Sequence, residues 1–336
     1  MASELDNSGL QPLSQSACSC WIVTDGKAGM ESQCLGLAEA LGLTPQMKRV
    51  RLRAPWRQLT PYFRLGQQHG FASGSDTLLA PWPDILIATG RQSIAASIMV
   101  RERSRGQGRG TITIQLQNPA IAPHHFDLVV TPRHDRLEGP NVIATLGALH
   151  RITSDVLSDG LLRLPPDVLR LPRPITAVLL GGSNDVYTLT PEVMTALAAQ
   201  IAAAARQTGG SVVVTPSRRT DPACVDILRR ELQALPHFAW GGTGPNPYFG
   251  LLGLADVIIV TCDSVNMVSE ACATGKPVYV AELPGGSEKF RRFHRLMRED
   301  GLTRPFAGAL IPYAYPPLDD MREVVARVGA LLGRGA

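Results

Sequence analysis

No run of about 18 apolar residues occurs in the chain, so the sequence predicts no membrane-spanning helix. Residues 1–20 carry Glu4 and Asp6 and lack an apolar segment, which reads as a flexible tail rather than a signal peptide. Of the six cysteines, Cys18 and Cys20 form only a C-x-C, and no second pair at zinc-ligand spacing follows. Cys262 and Cys272 fall in apolar runs that read as core, where a thiol serves as a small hydrophobe. A disulfide framework is not expected, and the expected compartment is the reducing cytoplasm. Neither G-x-x-x-x-G-K-[ST] nor G-x-G-x-x-G is present, so neither the Walker nor the dinucleotide fingerprint applies. No His or Cys set has metal-ligand spacing, and no metal or cofactor is expected.

Charge is also modest. The net charge is +4, and no nucleic-acid recognition motif accompanies it, so no nucleic-acid partner is expected. One local imbalance stands out. Residues 40–75 contain no Asp or Glu, while Lys48, Arg49, Arg51, Arg53, Arg57 and Arg64 interleave with Trp56, Tyr62 and Phe63. A solvated basic face with its aromatics turned inward is one reading. The other is that 48–64 meets an anionic membrane surface or a lipid-linked acceptor, with the protein peripheral at the inner face of the membrane.

At 336 residues the chain exceeds the size at which one core keeps growing, so two domains are expected. Short β-branched runs alternate with helical segments throughout. Strands are predicted at Trp21–Thr24, Lys48–Arg53, Asp84–Thr89, Thr111–Leu116, Asp127–Thr131 and Asn141–Thr145. After Pro165, Pro166, Pro172 and Pro174 the series restarts, with strands at Thr176–Leu180, Ser211–Thr215, His237–Trp240, Val257–Val260 and Val278–Ala281. The expected organisation is a tail over 1–20, an N-terminal Rossmann-like domain over 21–157 and a linker over 158–174. A C-terminal nucleotide-sugar-binding domain over 175–310 and a final segment with a helix over 311–336 complete it. The predicted fold class is α/β: two facing doubly wound domains with an interdomain cleft, where ligands bind beyond the carboxyl ends of the strands.

The stretch 256–282 concentrates the chemistry. Val257–Val260 lacks alternation, as a parallel strand covered on both faces requires. Asp263 and Ser264 stand where strand gives way to helix, Asn266 and Met267 lie in the helix's first turn, and Glu270 follows farther along. Gly275 and Pro277 end the helix. Free helix amides and a hydroxyl at the carboxyl edge of a sheet suit a phosphate, and a carboxylate farther on can accept hydrogen bonds from ribose hydroxyls. Plain capping explains Asp263 and Ser264 equally, and Glu270 is then a solvated surface residue.

Other strand ends carry similar possibilities. Gly181-Gly182-Ser183-Asn184 suits a diphosphate or a simple glycine turn. Ser217-Arg218-Arg219 suits bidentate phosphate contacts, Arg218 more than Arg219, or a solvated loop. Asn246 in the turn-rich stretch 240–248 is a base contact or a helix cap. Asp25-Gly26-Lys27-Ala28-Gly29 brings amides and a point charge to the first strand end. Adjacency of His134 and Asp135 does not make a triad, which leaves them as reserve acid–base groups.

Taken in order, Thr24–Gly29, Gly90–Ser93, Gln115–Pro119, Thr131–Asp135, Gly181–Asn184, Pro216–Arg219 and Asp263–Pro277 resemble the mitochondrial fission family first named from an elongated-mitochondria plant protein. Its bacterial members carry the label nucleoside-diphosphate-sugar epimerase. The C-terminal half also looks like the donor domain of the peptidoglycan glycosyltransferase that makes lipid-linked disaccharide. The resemblance implies a GT-B-like architecture and a nucleotide-sugar as substrate. Asp25 becomes the expected catalytic base, with Gly26, Lys27, Gly29, Arg91, Gln92, Ser93, Asn118 and His134 as substrate contacts. Gly181–Asn184, Ser217, Arg218, Asn246, Asp263, Ser264, Asn266, Met267 and Glu270 are the expected donor contacts. Metal-independent glycosyl transfer is the function this favours. Epimerisation of a nucleotide-sugar and a non-catalytic, membrane-associated adaptor like the plant fission factor are the alternatives.

Overall fold

The structure, a computed structural model, describes residues 18–62, 66, 69–108 and 110–333. The tail up to residue 17, together with Phe63 and Arg64 of the basic stretch, lies outside the described residues. In chain order the elements are β1 (Cys20–Thr24), α1 (Ala28–Ala40), β2 (Pro45–Arg49), α2 (Trp56–Leu59), β3 (Ile85–Thr89), α3 (Ser93–Arg105), β4 (Ile112–Leu116), β5 (Leu128–Pro132) and β6 (Val142–Thr145). There follow α4 (Ser154–Leu162), α5 (Pro166–Leu169), β7 (Ile175–Leu180), α6 (Pro191–Thr208), β8 (Ser211–Pro216), α7 (Pro222–Glu231), β9 (His237–Ala239), α8 (Tyr248–Leu254), β10 (Val257–Thr261), α9 (Val265–Ala273), β11 (Val278–Ala281), α10 (Glu288–Glu299), β12 (Thr303–Pro305) and α11 (Met321–Gly333).

These form two six-stranded parallel sheets, ordered β2-β1-β3-β4-β5-β6 and β12-β11-β10-β7-β8-β9. In each, the first strand of the series lies between two neighbours, so the strand order reverses beside it. That is the switch point at which open α/β sheets bind ligands. The unbroken apolar runs explain the placement. β1, β3, β7 and β10 are buried at every residue, as helix cover on both faces demands. Edge strand β2 is only partly buried and carries Lys48 and Arg49. It starts three residues before its predicted position, because Pro45 pairs with Cys20 and the register ends at Arg49 opposite Thr24. Helix α6 begins and ends as its sequence dictates: Thr190 Oγ1 accepts from the Val193 amide at 3.3 Å, Pro191 opens the first turn, and Gly209 closes it at φ 68°.

The chain divides into two compact units. Residues up to 131, 138–143 and from 321 onward form the first; 132–137 and 144–320 form the second. The proline-bearing stretch 158–174, expected as a linker, is instead largely helical and belongs to the second unit. Its packing rests on glycine: a methyl on Gly160 would come within 2.5 Å of the Gly250 amide nitrogen, so α4 and α8 touch backbone to backbone. Val168 in α5 is 1% exposed. Prolines here shape short helices and do not mark a joint. Cys262 and Cys272 are fully buried, and no disulfide joins any of the six cysteines.

Candidate functional site

In the second unit, β10 delivers Cys262, Asp263 and Ser264 to the start of α9. The two polar residues take different roles. Ser264 Oγ accepts from the Met267 amide at 3.3 Å and caps the helix. Asp263 turns inward, its side chain wholly buried. It accepts from the Gly182 amide at 3.1 Å and from Thr261 Oγ1 at 2.6 Å, and forms an ion pair with Arg219. One carboxylate thus ties together the ends of β7, β8 and β10. The glycines follow from this. A methyl on Gly181 would lie 1.9 Å from Asp263 Oδ1, and one on Gly182 would lie 2.1 Å from the Arg219 carbonyl oxygen.

The polar side chains of this loop serve the loop itself. Ser183 Oγ accepts from the Leu189 amide at 2.9 Å, and Asn184 Oδ1 accepts from the amides of Val186 and Tyr187, both at 2.8 Å. Ser217 Oγ accepts from the Arg219 amide at 3.2 Å. Between the two arginines the structure makes a clear division: Arg219 is held by Asp263, whereas Arg218 is exposed and pairs with no side chain among the described residues.

Glu270 is not the solvated surface residue that one reading expects. It is 8% exposed, and its Oε2 accepts from the Tyr248 hydroxyl at 2.6 Å. Burial pushes its carboxyl up to about 7, against the opposing pull of the Tyr248 hydrogen bond and the positive charge of Arg151. Among the described residues nothing donates to Oε1. Asn246 Oδ1 accepts from the Tyr248 amide at 3.0 Å, an Asx-turn bond from the residue ahead of Pro247, the N-cap of α8, rather than a cap bond. The sequence does not single out Tyr248, and it ranks Arg219 below Arg218. Neither has a local signal, because each partner sits on another strand–helix unit.

The first unit places its expected residues on three strand ends, those of β1, β3 and β4. Asp25 is 7% exposed at its side chain, with Lys27 Nζ 3.6 Å from Oδ2 and Oδ1 buried without a hydrogen-bond partner. Thr24 Oγ1 accepts from the Gly26 amide at 3.2 Å, and Gly26 takes φ 90°, which lets the chain turn into α1 just ahead of Gly29. The others are engaged with backbone. Arg91 donates to the carbonyls of Thr60 and, at 2.6 Å, Gln58; Gln92 Oε1 accepts from the Leu52 amide at 3.0 Å; Ser93 Oγ donates to the Thr89 carbonyl at 2.9 Å. Asn118 Oδ1 accepts from the Ala120 amide at 2.8 Å. In the basic stretch, Arg49 pairs with Glu31 at 2.7 Å and Arg53 lies over the Trp56 ring at 5.6 Å. Tyr62 is 74% exposed, so this aromatic is not turned inward.

His134, expected among the substrate contacts, lies in the second unit as a buried residue, 2% exposed and packed edge-on to Phe293. Its carbonyl accepts from Arg292 at 2.8 Å, and Lys289 holds neighbouring Asp135 at 2.6 Å. Burial lowers its imidazole to about 4. Among the described residues no three His, Cys, Asp or Glu side chains gather as a metal-ligand set, and no helix is long and apolar enough to cross a membrane.

A family model described as Mitochondrial fission ELM1 matches residues 28–332. The mitochondrial fission protein ELM1 of Arabidopsis thaliana is 29% identical, over 91% of this chain and 89% of that protein. An uncharacterized protein of Rickettsia prowazekii (strain Madrid E) is 23% identical, over 90% of this chain and 96% of its own. Among solved structures, the UDP-GlcNAc 2-epimerase of Methanocaldococcus jannaschii, in complex with UDP-GlcNAc and UDP, superposes with a TM-score of 0.52 at 11% identity. That match covers 93% of this chain and 99% of the epimerase. The glycosyltransferase SnogD of Streptomyces nogalater gives 0.51 at 14% identity, covering 95% of this chain and all (100%) of that one. At such identities the likeness is one of fold, the two-domain α/β architecture of GT-B type.

Proposed function

Because the chain belongs to the Mitochondrial fission ELM1 family and has this architecture, we propose that its second unit binds a nucleoside-diphosphate sugar whose glycosyl group it transfers to an acceptor hydroxyl. The observation that carries the reading is Glu270. A carboxylate 8% exposed, with one oxygen held and the other unmatched, lies five residues along α9 from Val265. At helical rise that is about 8 Å from the first-turn amides. Such a span suits ribose hydroxyls at one end and a diphosphate at the other. First-turn amides lack intrahelical acceptors, and Arg218, exposed and next in sequence to the ion-paired Arg219, adds a cation.

In the proposed transfer, the acceptor oxygen bonds to the anomeric carbon as the bond from that carbon to the diphosphate oxygen breaks. The acceptor proton passes to a general base as that bond forms. The charge left on the diphosphate falls to the α9 amides and Arg218, without a metal ion. The basic stretch from Lys48 to Arg57, with exposed Tyr62, supports peripheral contact with an anionic membrane surface or a lipid-linked acceptor. The proposed setting is the cytoplasmic face of that membrane.

A second reading, a binding module without catalysis, draws on a different observation. Asp263, Ser183 and Asn184 are fully engaged within the protein, so the strand-end loops hold together without a ligand. Calorimetric titration with UDP, GDP, ADP and dTDP separates the two. Saturable binding of one nucleotide, weakened at least about tenfold (1.4 kcal/mol) by Glu270→Ala, supports the donor site. No binding by any of the four leaves the fold intact and favours the module.

A further inference from the structure

The first unit contains a pocket of about 430 Å³. It draws on Ser19 and Pro83, which precede β1 and β3, so it lies toward the amino ends of those strands, whereas the switch point is at their carboxyl ends. Strand register builds one wall. Trp21 stands opposite Gln46 and Val23 opposite Lys48, which puts Trp21 and Lys48 on the same face of the sheet. Lys48 Nζ lies 5.0 Å from the centre of the Trp21 ring, and Trp82 meets Trp21 edge to face with ring centres 6.2 Å apart. The other wall is the stretch 77–83, held at both ends. Asp76 Oδ2 accepts from the Arg49 amide at 2.6 Å, and the Pro83 carbonyl accepts from Thr111 Oγ1 at 2.7 Å. Trp82 Nε1 donates to Gln107 Oε1 at 2.8 Å, which fixes the indole. Walls tied in this way need little ordering on binding.

Two properties define what the pocket accepts. Its walls are apolar: Leu79 is 67% exposed, and Pro81 and Trp82 extend the same surface. Its charge is of one sign. Lys48 is half-buried, and among the described residues its ammonium makes no ion pair or hydrogen bond. No acidic residue is among those that line the pocket. A half-buried cation beside apolar walls favours a ligand that brings both an anion and an apolar body. The volume falls within the range of about 300–1,000 Å³ typical of small-molecule sites. Lys48 already covers one face of Trp21, and the two indoles are inclined at 66°, so no parallel pair of rings is set to sandwich an aromatic ligand. A flexible chain suits these walls. We propose that the pocket is a ligand site, separate from the donor site, for a small aliphatic monocarboxylate. The carboxylate pairs with Lys48, and the chain lies against Leu79, Pro81 and Trp82.

The test is calorimetric titration of the full chain at pH 8 with decanoate, decanol and decylamine, each below its micelle-forming concentration. Tryptophan fluorescence is followed in parallel, because Trp21 and Trp82 line the pocket. Decanoate is expected to bind saturably and at least about tenfold more tightly than decanol, the margin that a charged pair supplies. Lys48→Met keeps an apolar stem and should lower decanoate to the affinity of decanol. Lys48→Glu should reverse the preference toward decylamine. Leu79→Asp, at an exposed position, should weaken decanoate at least about tenfold by placing a like charge beside the chain and its carboxylate. Arg57→Gln, a charge change outside the pocket, should alter it less than about twofold. Equal affinity for decanoate and decanol, a preference that survives Lys48→Met, or an equal loss in Arg57→Gln overturns the proposal, as does the lack of any saturable binding. Each of these results leaves the nucleotide titration untouched, so this pocket and the donor site stand or fall separately.

Discussion

Arg219 and Asp263 form an ion pair in which only the arginine meets water: its side chain is 46% exposed, while the carboxylate is wholly buried. The cation screens a charge that β7, β8 and β10 all lean on. Removing it leaves Asp263 inside the protein with only the Gly182 amide and the Thr261 hydroxyl as donors. Arg219→Ala should destabilise the protein by about 2–3 kcal/mol, below the range for a fully buried pair because half the guanidinium is already hydrated. Arg218→Ala should change stability by less than about 0.5 kcal/mol. Urea unfolding of both variants checks the contrast.

Glycine at 181 is required by the same carboxylate. Gly181→Ala forces a methyl to within 1.9 Å of Asp263 Oδ1 and should cost about 3 kcal/mol or more or abolish folding. Gly329→Ala, inside α11 with nothing within 4 Å, should be neutral or stabilise by up to about 1 kcal/mol. Thermal melts of the two variants separate steric need from mere glycine content.

Two buried histidines predict acid lability. His134 and His150 are held neutral, each lowered by burial to about 4, and His150 Nδ1 accepts from the Ile152 amide at 3.3 Å. The unfolded chain protonates them near 6.5. As pH falls from 6.5 toward 4 the unfolded state therefore takes up protons that the folded state refuses, and stability drops. Each contributes on the order of 3 kcal/mol to that loss. His150→Gln should flatten the decline in unfolding free energy over this window; an unchanged slope counts against the assignment.

Glu270 acts in the opposite direction. Its carboxyl titrates at about 7 in the folded protein and near 4.5 when unfolded. The folded state holds the extra proton between those values, so stability falls as pH rises from 4.5 to 7 and is level above. Glu270→Gln should raise stability at pH 8 by an amount on the order of 2–3 kcal/mol and leave it nearly unchanged at pH 4. Denaturant curves at the two pH values measure the difference directly.

The basic stretch makes a separate prediction. Arg51→Glu together with Arg57→Glu reverses two charges in a segment otherwise free of acids. At about 1 kcal/mol per basic residue near an anionic surface, co-sedimentation with phosphatidylglycerol vesicles should fall at least tenfold. Neutral phosphatidylcholine vesicles should show no such dependence.

Much of the fold was legible because buried parallel strands announce themselves: β3, β8, β10 and β11 lie within a residue of their predicted positions. The region 158–174 was misread because proline density resembles a joint, whereas a glycine-to-glycine contact between α4 and α8 leaves no local mark. The site divides in the same way. Ser264 as a cap follows from its position. The inward turn of Asp263, its hold on Arg219 in preference to Arg218, and the Tyr248–Glu270 bond depend on partners 20 to 80 residues away, beyond what spacing encodes. His134 misled for a related reason: its loop follows a strand end, yet its side chain is taken into the core by Phe293.

The meeting of Gly160 with Gly250 also bears on how such chains are cut or recombined. A fragment begun at Ile175 would leave the backbone of α8 uncovered at Gly250. Exchanging C-terminal halves between relatives succeeds only if the junction falls before Ser154 and the two glycines travel together.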